Sequence, residues 1–309
     1  MHISIGTRGS KLALWQAYQV EKTLQAGGLE TQIQVIETKG DKILNRALSK
    51  IGSKGVFTEE LETQLRDGRI DLAVHSAKDL PSSLPDDLEI LAFSEREKPH
   101  DVIVSYNPDF QLNNPEKPLI IGTSSTRRAA LIRHFYPHLQ LKDVRGNLQT
   151  RMQKLKAGQY QALVLAYAGV HRMEYDPYIV HHLPLEQFTP PVGQGSLAIE
   201  ICQSLAEDKQ KRIKELLNHS PTETLLRIER QFLRTLEGGC SIPVFAYAQW
   251  QGEQVHLNTG IISLDGQDLL RETRRSAHPA EWTQLGKTCA ETLLARGGQA
   301  ILQRIREEQ

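Results

Sequence analysis

Short apolar runs alternate along the chain with longer stretches in which apolar residues recur at helical spacing. The first run, residues 3–5, alternates apolar and polar side chains as a strand does. The segment after it is apolar on one helical face, at Ala13, Ala17, Val20 and Leu24. Ser10 suits its N-cap and Gly27 its end, so the pattern predicts a strand followed by a helix over residues 11–25.

The same alternation continues over the first two hundred residues. Further strand-like runs lie at residues 33–36, 72–74, 88–93, 102–104, 119–121, 141–144, 162–166 and 197–201. The run at 162–166 is apolar throughout, as in a parallel strand that is covered on both faces. Because helical segments separate many of these runs, the pattern predicts βαβ units, and hence parallel or mixed sheets with helices on both faces.

The last third of the chain has a different pattern. Ser220, Pro221 and Glu223 indicate a helix start, with Ser220 as the N-cap. Residues 244–276 alternate between apolar and polar, with turn residues near 251–253 and 265–266, which predicts a three-stranded antiparallel sheet. A final helix places four side chains inward and ends at Gly297; these are Trp282, Leu285, Cys289 and Leu293. The pattern indicates a separate α+β domain.

Two segments are expected to carry the chain between the first two domains. Several prolines lie within residues 80–100. Residues 189–195 contain two rigid prolines followed by two glycines. Two such crossings make a natural hinge. The predicted division is residues 1–96 with 193–216 for the first domain, 97–192 for the second and 217–309 for the third.

Composition excludes several classes of protein. Lys plus Arg number 37 and Asp plus Glu also number 37, so no global field favours nucleic acid or an anionic membrane. The sequence shows no basic leader before an apolar stretch and no run of about 18 apolar residues. Its three cysteines are widely spaced and form no zinc-binding pattern. We therefore expect a soluble, cytoplasmic protein without a metal site.

Residues 75–81 contain the closest grouping of candidate catalytic side chains in the sequence. An imidazole, a hydroxyl, an ammonium and a carboxylate follow the apolar run 72–74, in His75, Ser76, Lys78 and Asp79. Ligands of open α/β sheets bind beyond the carboxyl ends of strands. Asp79 could therefore exchange a proton with a substrate or face a cation formed during reaction. The structural alternative is that Lys78 and Asp79 are loop charges and that His75 is a hydrogen-bonded core residue.

Basic residues cluster at further strand-to-helix turns. Between residues 120 and 156, eight Lys and Arg stand against one acid, Asp143. Hydroxyls at 123–126 precede Arg127 and Arg128, and a second turn begins at Arg145. Free N–H groups at helix starts and guanidinium groups bind carboxylate or phosphate oxygens, so these turns predict a concentrated anion site. The alternative is a helix face of solvated arginines.

Two more features invite a functional interpretation. The polar, glycine-containing stretch 38–55 carries Lys50 and Lys54 among its bases, as a lid over an anionic ligand would. A mobile, solvated loop is the alternative. Cys240 follows two glycines on a turn, where its sulfur could be accessible. The alternative for any single cysteine is a small buried apolar residue.

Seven motifs taken together resemble one enzyme family over essentially the whole chain. They are TRGSKLALWQA (7–17), TKGD (38–41), HSAKDLP (75–81), GTSSTRR (122–128), RGNLQTR (145–151), PPVGQG (190–195) and EGGCSIP (237–243). In this order and spacing they resemble the porphobilinogen deaminases, or hydroxymethylbilane synthases. The likeness implies two α/β domains similar to type II periplasmic binding proteins with a cleft between them, plus a small C-terminal α+β domain with a three-stranded antiparallel sheet.

The resemblance also implies an activity. It implies a transferase of tetrapyrrole biosynthesis that joins four porphobilinogen molecules head to tail with loss of ammonia and then releases hydroxymethylbilane by hydrolysis. The chain would grow on a dipyrromethane cofactor held by a thioether to Cys240. The family expectation is a monomer that acts on this small molecule, with no nucleic acid or membrane partner.

The resemblance assigns roles residue by residue. Asp79 matches the catalytic aspartate of the family. The cofactor-binding residues would be Cys240, Ser76, Lys78, Thr123, Ser124, Ser125, Arg127, Arg128, Arg145 and Gly146. The substrate-binding residues would be Arg8, Ser10, Gln16, Arg151 and Arg172, with Lys50 and Lys54 on the lid. These assignments suit the chemistry, because each porphobilinogen carries two carboxylates and the growing chain accumulates negative charge.

Two rival hypotheses belong to other classes of protein. A two-lobed fold could serve as a non-catalytic anion sensor, although such a sensor would have no use for Cys240 on a third domain. A nucleic-acid or phosphate-ester binder could use the arginines at 127–151. That hypothesis predicts binding that weakens steeply with salt, and the sequence shows neither an aromatic platform nor a reading helix.

Overall fold

The computed structural model describes residues 1–38, 58–113, 119–237 and 242–308. The chain folds as two compact units, each built from two separate stretches of sequence. Unit 1 consists of Met1–Glu97 and Gly193–Leu226, and unit 2 consists of Lys98–Val192 and Arg227–Gln309. The predicted division into three domains stays a prediction.

Strands and helices alternate through both units. The strands are β1 (His2–Arg8), β2 (Glu30–Ile36), β3 (Leu72–Ser76), β4 (Leu88–Phe93), β5 (Asp101–Val104), β6 (Ile120–Gly122), β7 (Gln140–Lys142), β8 (Ala162–Ala166), β9 (Ile179–His182), β10 (Leu197–Cys202), β11 (Val244–Gln251), β12 (Gln254–Ile262) and β13 (Leu269–Ser276). The α-helices of the described residues are α1 (Lys11–Ala26), α2 (Glu59–Arg66), α3 (Thr126–Phe135), α4 (Leu148–Lys156), α5 (Tyr167–Arg172), α6 (Glu207–Leu217), α7 (Ser220–Thr235), α8 (Pro279–Leu293) and α9 (Gln299–Glu307).

The sheet of unit 1 is mixed and has the order β2-β1-β3-β10-β4. Strand β1 pairs in parallel with β2 and β3, so the carboxyl ends of these three strands share one edge. Strand β10 runs antiparallel to β3 and β4 on either side. Ile3, Val20 and Ile199 belong to its main apolar core, so helix α1 packs against this sheet as its apolar face predicts.

The first sheet of unit 2 repeats that arrangement. Its order is β7-β6-β8-β5-β9, with β6 parallel to β7 and β8, and β5 antiparallel to β8 and β9. Strands β6, β7, β8, β5 and β9 thus take the places that β1, β2, β3, β10 and β4 hold in unit 1. Both are mixed sheets connected by helices, which confirms the predicted α/β class.

The C-terminal part of unit 2 contains the predicted three-stranded antiparallel sheet, in the order β11-β12-β13. Phe245 and Ile262 of this sheet lie in one apolar cluster with Ile121 and Leu131 of the preceding α/β part. Their burial in a common core explains why these two parts form one compact unit.

Two local predictions are wrong in detail. Helix α7 begins at Ser220, so this residue is not an N-cap outside the helix; Glu223 instead accepts a hydrogen bond from Asn218 Nδ2 at 2.7 Å. The C-terminal helix does not finish the fold at Gly297, because α9 follows it. Gly297 has φ 106°, a left-handed conformation that interrupts one helix before the next begins.

The caps of α1 agree with prediction. Ser10 Oγ accepts a hydrogen bond from the Ala13 amide at 3.2 Å, and Gly27 is the C-cap. Among the described residues no helix is both long and apolar enough to cross a membrane.

Candidate active site

The carboxyl end of β3 presents the residues of the HSAKDLP motif. The strand ends at Ser76, and residues Ala77–Asp79 form a single 3₁₀ turn. The Ala77 amide donates to the Ser196 carbonyl at 3.0 Å, and Ala77 and Leu80 are buried on either side of the charges. Asp79 is exposed, and no described residue forms an ion pair with it. Its carboxylate is thus carried on a turn that is anchored on both sides.

A second segment of unit 1 supports the same turn. Lys78 Nζ donates to Gln194 Oε1 at 3.2 Å, and Gln194 is 1% exposed. Gly193 has φ +77°, and a Cβ there would lie 2.9 Å from the Ala77 carbonyl carbon and 3.0 Å from the Lys78 nitrogen. Only glycine fits this close approach, so the PPVGQG motif functions as packing for the turn that bears Asp79.

The carboxyl end of β1 brings three more predicted residues to this edge of the sheet. Arg8 ends β1, and Ser10 caps helix α1. Gln16, 3% exposed, donates from Nε2 to Ser76 Oγ at 2.9 Å. This bond joins a predicted substrate-binding residue to a predicted cofactor-binding residue.

His75 lies beneath the turn and contacts a buried acid. Its Nε2 is 2.9 Å from Glu200 Oε2 on β10, and Glu200 is fully buried. The angles of this contact do not satisfy a hydrogen bond, and neither Glu200 oxygen has another hydrogen-bond partner among the described residues. The two side chains thus form a close polar contact in the core. His75 is therefore a core residue, as the structural alternative anticipated, although its Nε2 lacks the expected hydrogen bond, while Asp79 is not part of that core.

In unit 2, β6 leads into a hydroxyl-rich turn at the start of α3. Ser125 is the N-cap, and its Oγ accepts a hydrogen bond from the Arg128 amide at 3.4 Å. Thr123 Oγ1 accepts one from the Ser125 amide at 3.3 Å, while Ser124 lies half-buried between them. The helix start and the hydroxyl groups thus lie at the same carboxyl edge of the sheet.

Arg127 and Arg128 are buried, with 3% and 7% of the whole residue exposed, and do not form a solvated helix face. Both guanidinium groups contact Asp101, whose carboxylate is fully buried at the start of β5. Burial lowers the pKa of Arg127 below its usual value, and the charge of Asp101 opposes that shift. A guanidinium group stays protonated in proteins even so, and the site therefore keeps its positive charge.

The turn after β7 carries Arg145 and Gly146. Arg145 Nε contacts Asp143 Oδ2 at 2.8 Å, with a quarter of the Arg145 side chain exposed. Arg151, on α4, donates from Nε to the Gly146 carbonyl at 2.8 Å. Gly146 has φ +107°, and a Cβ there would lie 2.6 Å from a Thr150 side-chain carbon, so the turn requires glycine.

Arg172 ends helix α5, which follows β8, and is half-buried. The carboxyl ends of β6, β7 and β8 therefore each lead to predicted anion-binding residues. Because β6 pairs in parallel with β7 and β8, those residues share one edge of the sheet.

Lys50, Lys54 and Cys240 lie outside the described residues. Among the residues that are described, no group of three or more His, Cys, Asp or Glu side chains is arranged to hold a metal ion. Sequence reasoning missed Asp101 and Glu200 as partners of predicted residues, and it treated Gln194 only as part of a crossing segment. Each lies far along the chain from its partner, so no local signal could have identified these contacts.

The anion-binding edge of unit 2 suits a ligand with several carboxylates. Arg127 Nε is buried and has no hydrogen-bond partner among the described residues. A buried donor of this kind is costly unless it is satisfied. The hydroxyl groups, helix start and arginines together supply the donors that carboxylate oxygens accept. The residues present therefore fit a group such as a dipyrromethane that bears acidic side chains.

Comparison with known families gives two matches that cover most of the chain. Residues 3–211 match the family model described as porphobilinogen deaminase, dipyrromethane cofactor binding domain. Residues 224–295 match porphobilinogen deaminase, C-terminal domain.

Full-length relatives carry the same name. The chain is 50% identical over 309 residues to a porphobilinogen deaminase of Desulfosudis oleivorans, covering 100% of this chain and 99% of the relative. It is 55% identical over 307 residues to one from Cytophaga hutchinsonii, covering 99% and 97%. Among solved structures, a TRAP periplasmic solute binding protein from Desulfovibrio salexigens matches at 12% identity and a TM-score of 0.42, covering 70% of this chain and 72% of that one.

Proposed function

The chain belongs to the porphobilinogen deaminase family, and from this premise we propose that Asp79 is its catalytic residue. The enzyme is a transferase of tetrapyrrole biosynthesis. It joins four porphobilinogen molecules head to tail with loss of ammonia on a dipyrromethane primer, and hydrolysis then releases hydroxymethylbilane. The observation that carries our proposal is an exposed carboxylate on a rigid turn at the carboxyl edge of a sheet.

The reaction requires one carboxylate that is not already engaged in an ion pair. Loss of ammonia from porphobilinogen leaves a cationic carbon, and an adjacent carboxylate stabilises that charge most strongly where water is excluded. The same carboxylate can carry a proton between the leaving amine and a pyrrole nitrogen. No described residue forms an ion pair with Asp79, so its charge is available for either role.

The remaining roles follow the chemistry of the two sheet edges. In unit 1 we assign Ser76 and Lys78 to cofactor binding and Arg8, Ser10 and Gln16 to substrate binding. In unit 2 we assign the hydroxyl-rich turn, its two arginines and the Arg145–Gly146 turn to the cofactor carboxylates, and Arg151 and Arg172 to the substrate. These assignments are supported by the position of most of these residues at or just beyond a strand end or helix start, whereas Gln16 and Arg151 lie on the helix that follows and Arg172 at the end of one.

The decisive experiment is Asp79→Asn. The variant should fold and carry the cofactor, yet kcat should fall by about 10²- to 10⁴-fold, the usual contribution of a general acid or base. Turnover is measured as porphobilinogen consumed, and cofactor content as intact mass. Asp86→Asn is the matched control, because Asp86 is another exposed aspartate of unit 1. Near-normal turnover of Asp79→Asn would remove this residue from the chemistry.

We also propose that the dipyrromethane is linked through the sulfur of Cys240. Of the other two cysteines, Cys289 is fully buried and Cys202 nearly so, and burial raises the pKa of the Cys289 thiol to about 11. Neither is a good nucleophile. Cys240→Ala should therefore give a folded protein at its bare sequence mass. An adduct mapped to Cys202 or Cys289 would contradict the assignment.

Location and assembly complete the proposal. We propose a cytoplasmic monomer that binds neither nucleic acid nor membranes, and the balance of 37 basic against 37 acidic residues supports the absence of polyanion binding. Light scattering at several concentrations tests the monomeric state. Salt-dependent retention on immobilised DNA would favour the nucleic-acid rival instead.

A further inference from the structure

Asp101 contacts both buried arginines of unit 2. Its Oδ2 accepts a hydrogen bond from Arg127 Nη2 at 2.6 Å. Its Oδ1 accepts one from Arg128 Nε at 2.9 Å and lies 2.8 Å from Arg128 Nη2. The three side chains are 0%, 4% and 8% exposed, in the order Asp101, Arg127 and Arg128. We name this group the Asp101 clamp.

We propose that Asp101 is a positioning residue, which holds Arg127 and Arg128 in the orientation in which they bind the carboxylates of the primer. The proposal rests on the proposed function of these arginines. Asp101 itself does not touch the reacting atoms; it acts through the two guanidinium groups.

The first support is that the clamp fixes each guanidinium group at more than one point. Arg127 Nη1 donates to the Thr189 carbonyl at 2.9 Å, and Arg128 Nη1 donates to the Val164 carbonyl at 3.2 Å. A long arginine side chain loses considerable rotamer freedom when it binds a ligand, unless the protein has already ordered it. The clamp orders both side chains in advance.

The second support is what the clamp leaves unused. Nη1 and Nη2 of Arg127 are both bonded, but its buried Nε has no partner among the described residues. Two cations against one anion also leave the clamp with a net charge of +1. The arrangement therefore keeps a donor and a positive charge for a ligand while avoiding two uncompensated buried cations.

The third support is that the clamp connects several structural elements of unit 2. It joins the start of β5, the start of α3, a carbonyl of β8 and Thr189, which precedes two prolines. Thr189 Oγ1 also accepts a hydrogen bond from Arg271 of β13 at 3.0 Å. Strands β5 and β8 and helix α3 hold all of the groups that the clamp joins except Thr189, so a displaced Asp101 carboxylate would displace both arginines.

The test compares three clamp variants with a matched control. Asp101→Asn removes the charge, Asp101→Glu keeps the charge but shifts the carboxylate by one methylene, and Asp101→Asn with Arg128→Gln restores a net charge of +1. The control is Asp87→Asn, because Asp87 also contacts an arginine, Arg66, at 2.6 Å, but at an exposed site. All proteins are assayed at a temperature where near-UV circular dichroism finds each of them folded.

Two measurements separate positioning from mere stability. The first is labelling with phenylglyoxal followed by peptide mass analysis, which reports guanidinium access and needs no substrate. We expect Arg127 and Arg128 to be unreactive in the unaltered protein, Arg127 to be labelled in each clamp variant, and Arg128 to be labelled in the two variants that retain it. The second is kinetics with porphobilinogen, where we expect kcat to fall about 10- to 100-fold, as misplaced groups cause, with KM nearly constant because other residues bind the incoming substrate.

The outcomes are distinct. Labelling together with a kcat loss that persists in Asp101→Glu supports positioning. The double variant lacks Arg128, which is itself assigned to the cofactor, so only a recovery of kcat is informative there. Full recovery of kcat in either of those proteins would mean that only charge matters and would overturn the proposal. Unchanged kcat in folded Asp101→Asn would reduce the clamp to a structural role. Failure of the unaltered protein to consume porphobilinogen would reject the proposed function, whereas the labelling result would stand by itself.

Discussion

Each of the two α/β sheets has a buried acid on an equivalent strand, but the two acids have different partners. Strand β10 in unit 1 and strand β5 in unit 2 occupy equivalent, antiparallel positions in their sheets. Glu200 on β10 and Asp101 on β5 are both fully buried. Glu200 meets one imidazole, that of His75, whereas Asp101 meets the guanidinium groups of two arginines.

The difference shows how one fold supports two kinds of site. A guanidinium group is always charged and provides several donors, so the acid of unit 2 is satisfied on both oxygens and helps to hold positive charge. An imidazole carries at most one charge and can be neutral at pH 7. The acid of unit 1 therefore lies in a less polar arrangement, below the turn that presents the exposed Asp79.

The largest expected effect on stability comes from removing the Asp101 carboxylate in unit 2. Asp101→Asn leaves two buried guanidinium groups without their counter-ion, so the free energy of unfolding should fall by about 3–5 kcal/mol. Urea denaturation at 25 °C measures it. The exposed Arg66–Asp87 pair serves as the control, and Asp87→Asn should leave the midpoint unchanged within error. Equal losses in the two variants would show that burial adds nothing to the pair.

A smaller effect is expected in unit 1. Glu200→Gln preserves shape and removes an acid whose only close polar partner in the described part of the chain is an imidazole. The free energy of unfolding should therefore fall by about 1–3 kcal/mol, the cost of disturbing one buried polar contact. The same urea titration measures it. A loss larger than that of Asp101→Asn would reverse the comparison and would indicate that the His75–Glu200 contact is a fully charged ion pair.

The sequence predicts the elements of this comparison but not the contacts. Periodicity predicts strands at 72–74, 102–104 and 197–201, and the structure has β3, β5 and β10 there. Arg127, Arg128 and Arg145 follow strand ends as predicted, since that depends only on local order along the chain. Arg133 and Lys154, in contrast, lie within helices. The partner of Arg127, however, is 26 residues away, and the stretch with eight bases against one acid begins after Asp101.

Glu200 of unit 1 is a second residue whose contact cannot be predicted from the sequence. A glutamate among apolar residues in a predicted strand has no local partner, and the antiparallel pairing of β10 with β3 alone brings it to His75. Gln194 stands between two glycines that have positive φ in the structure and is itself buried, but the sequence shows only the two glycines and not the burial. Sheet order, which local pattern does not encode, determines all three contacts.

The smallest expected effect is a pH dependence of the free energy of unfolding, and it again distinguishes β5 from β10. His100 directly precedes Asp101, whereas apolar residues flank Glu200. Burial, followed by the charges of His182 and Lys98, lowers the pKa of His100 below its usual 6.5, while Asp101 and Glu186 oppose the shift. Its Nδ1 is buried without a hydrogen-bond partner among the described residues. Folding therefore favours the neutral imidazole.

The sign of the pH dependence follows from linkage. Below pH 6.5 the unfolded chain takes up a proton at His100 that the folded protein resists, so the free energy of unfolding should decrease as pH falls through that value toward the lowered pKa. His100→Gln removes this titration and should flatten the curve of unfolding free energy against pH between about 7.5 and 5. Urea titrations at several pH values compare the two proteins. Parallel curves would mean that His100 protonates equally well in the folded chain, and the two strands would then differ only in the partners of their buried acids.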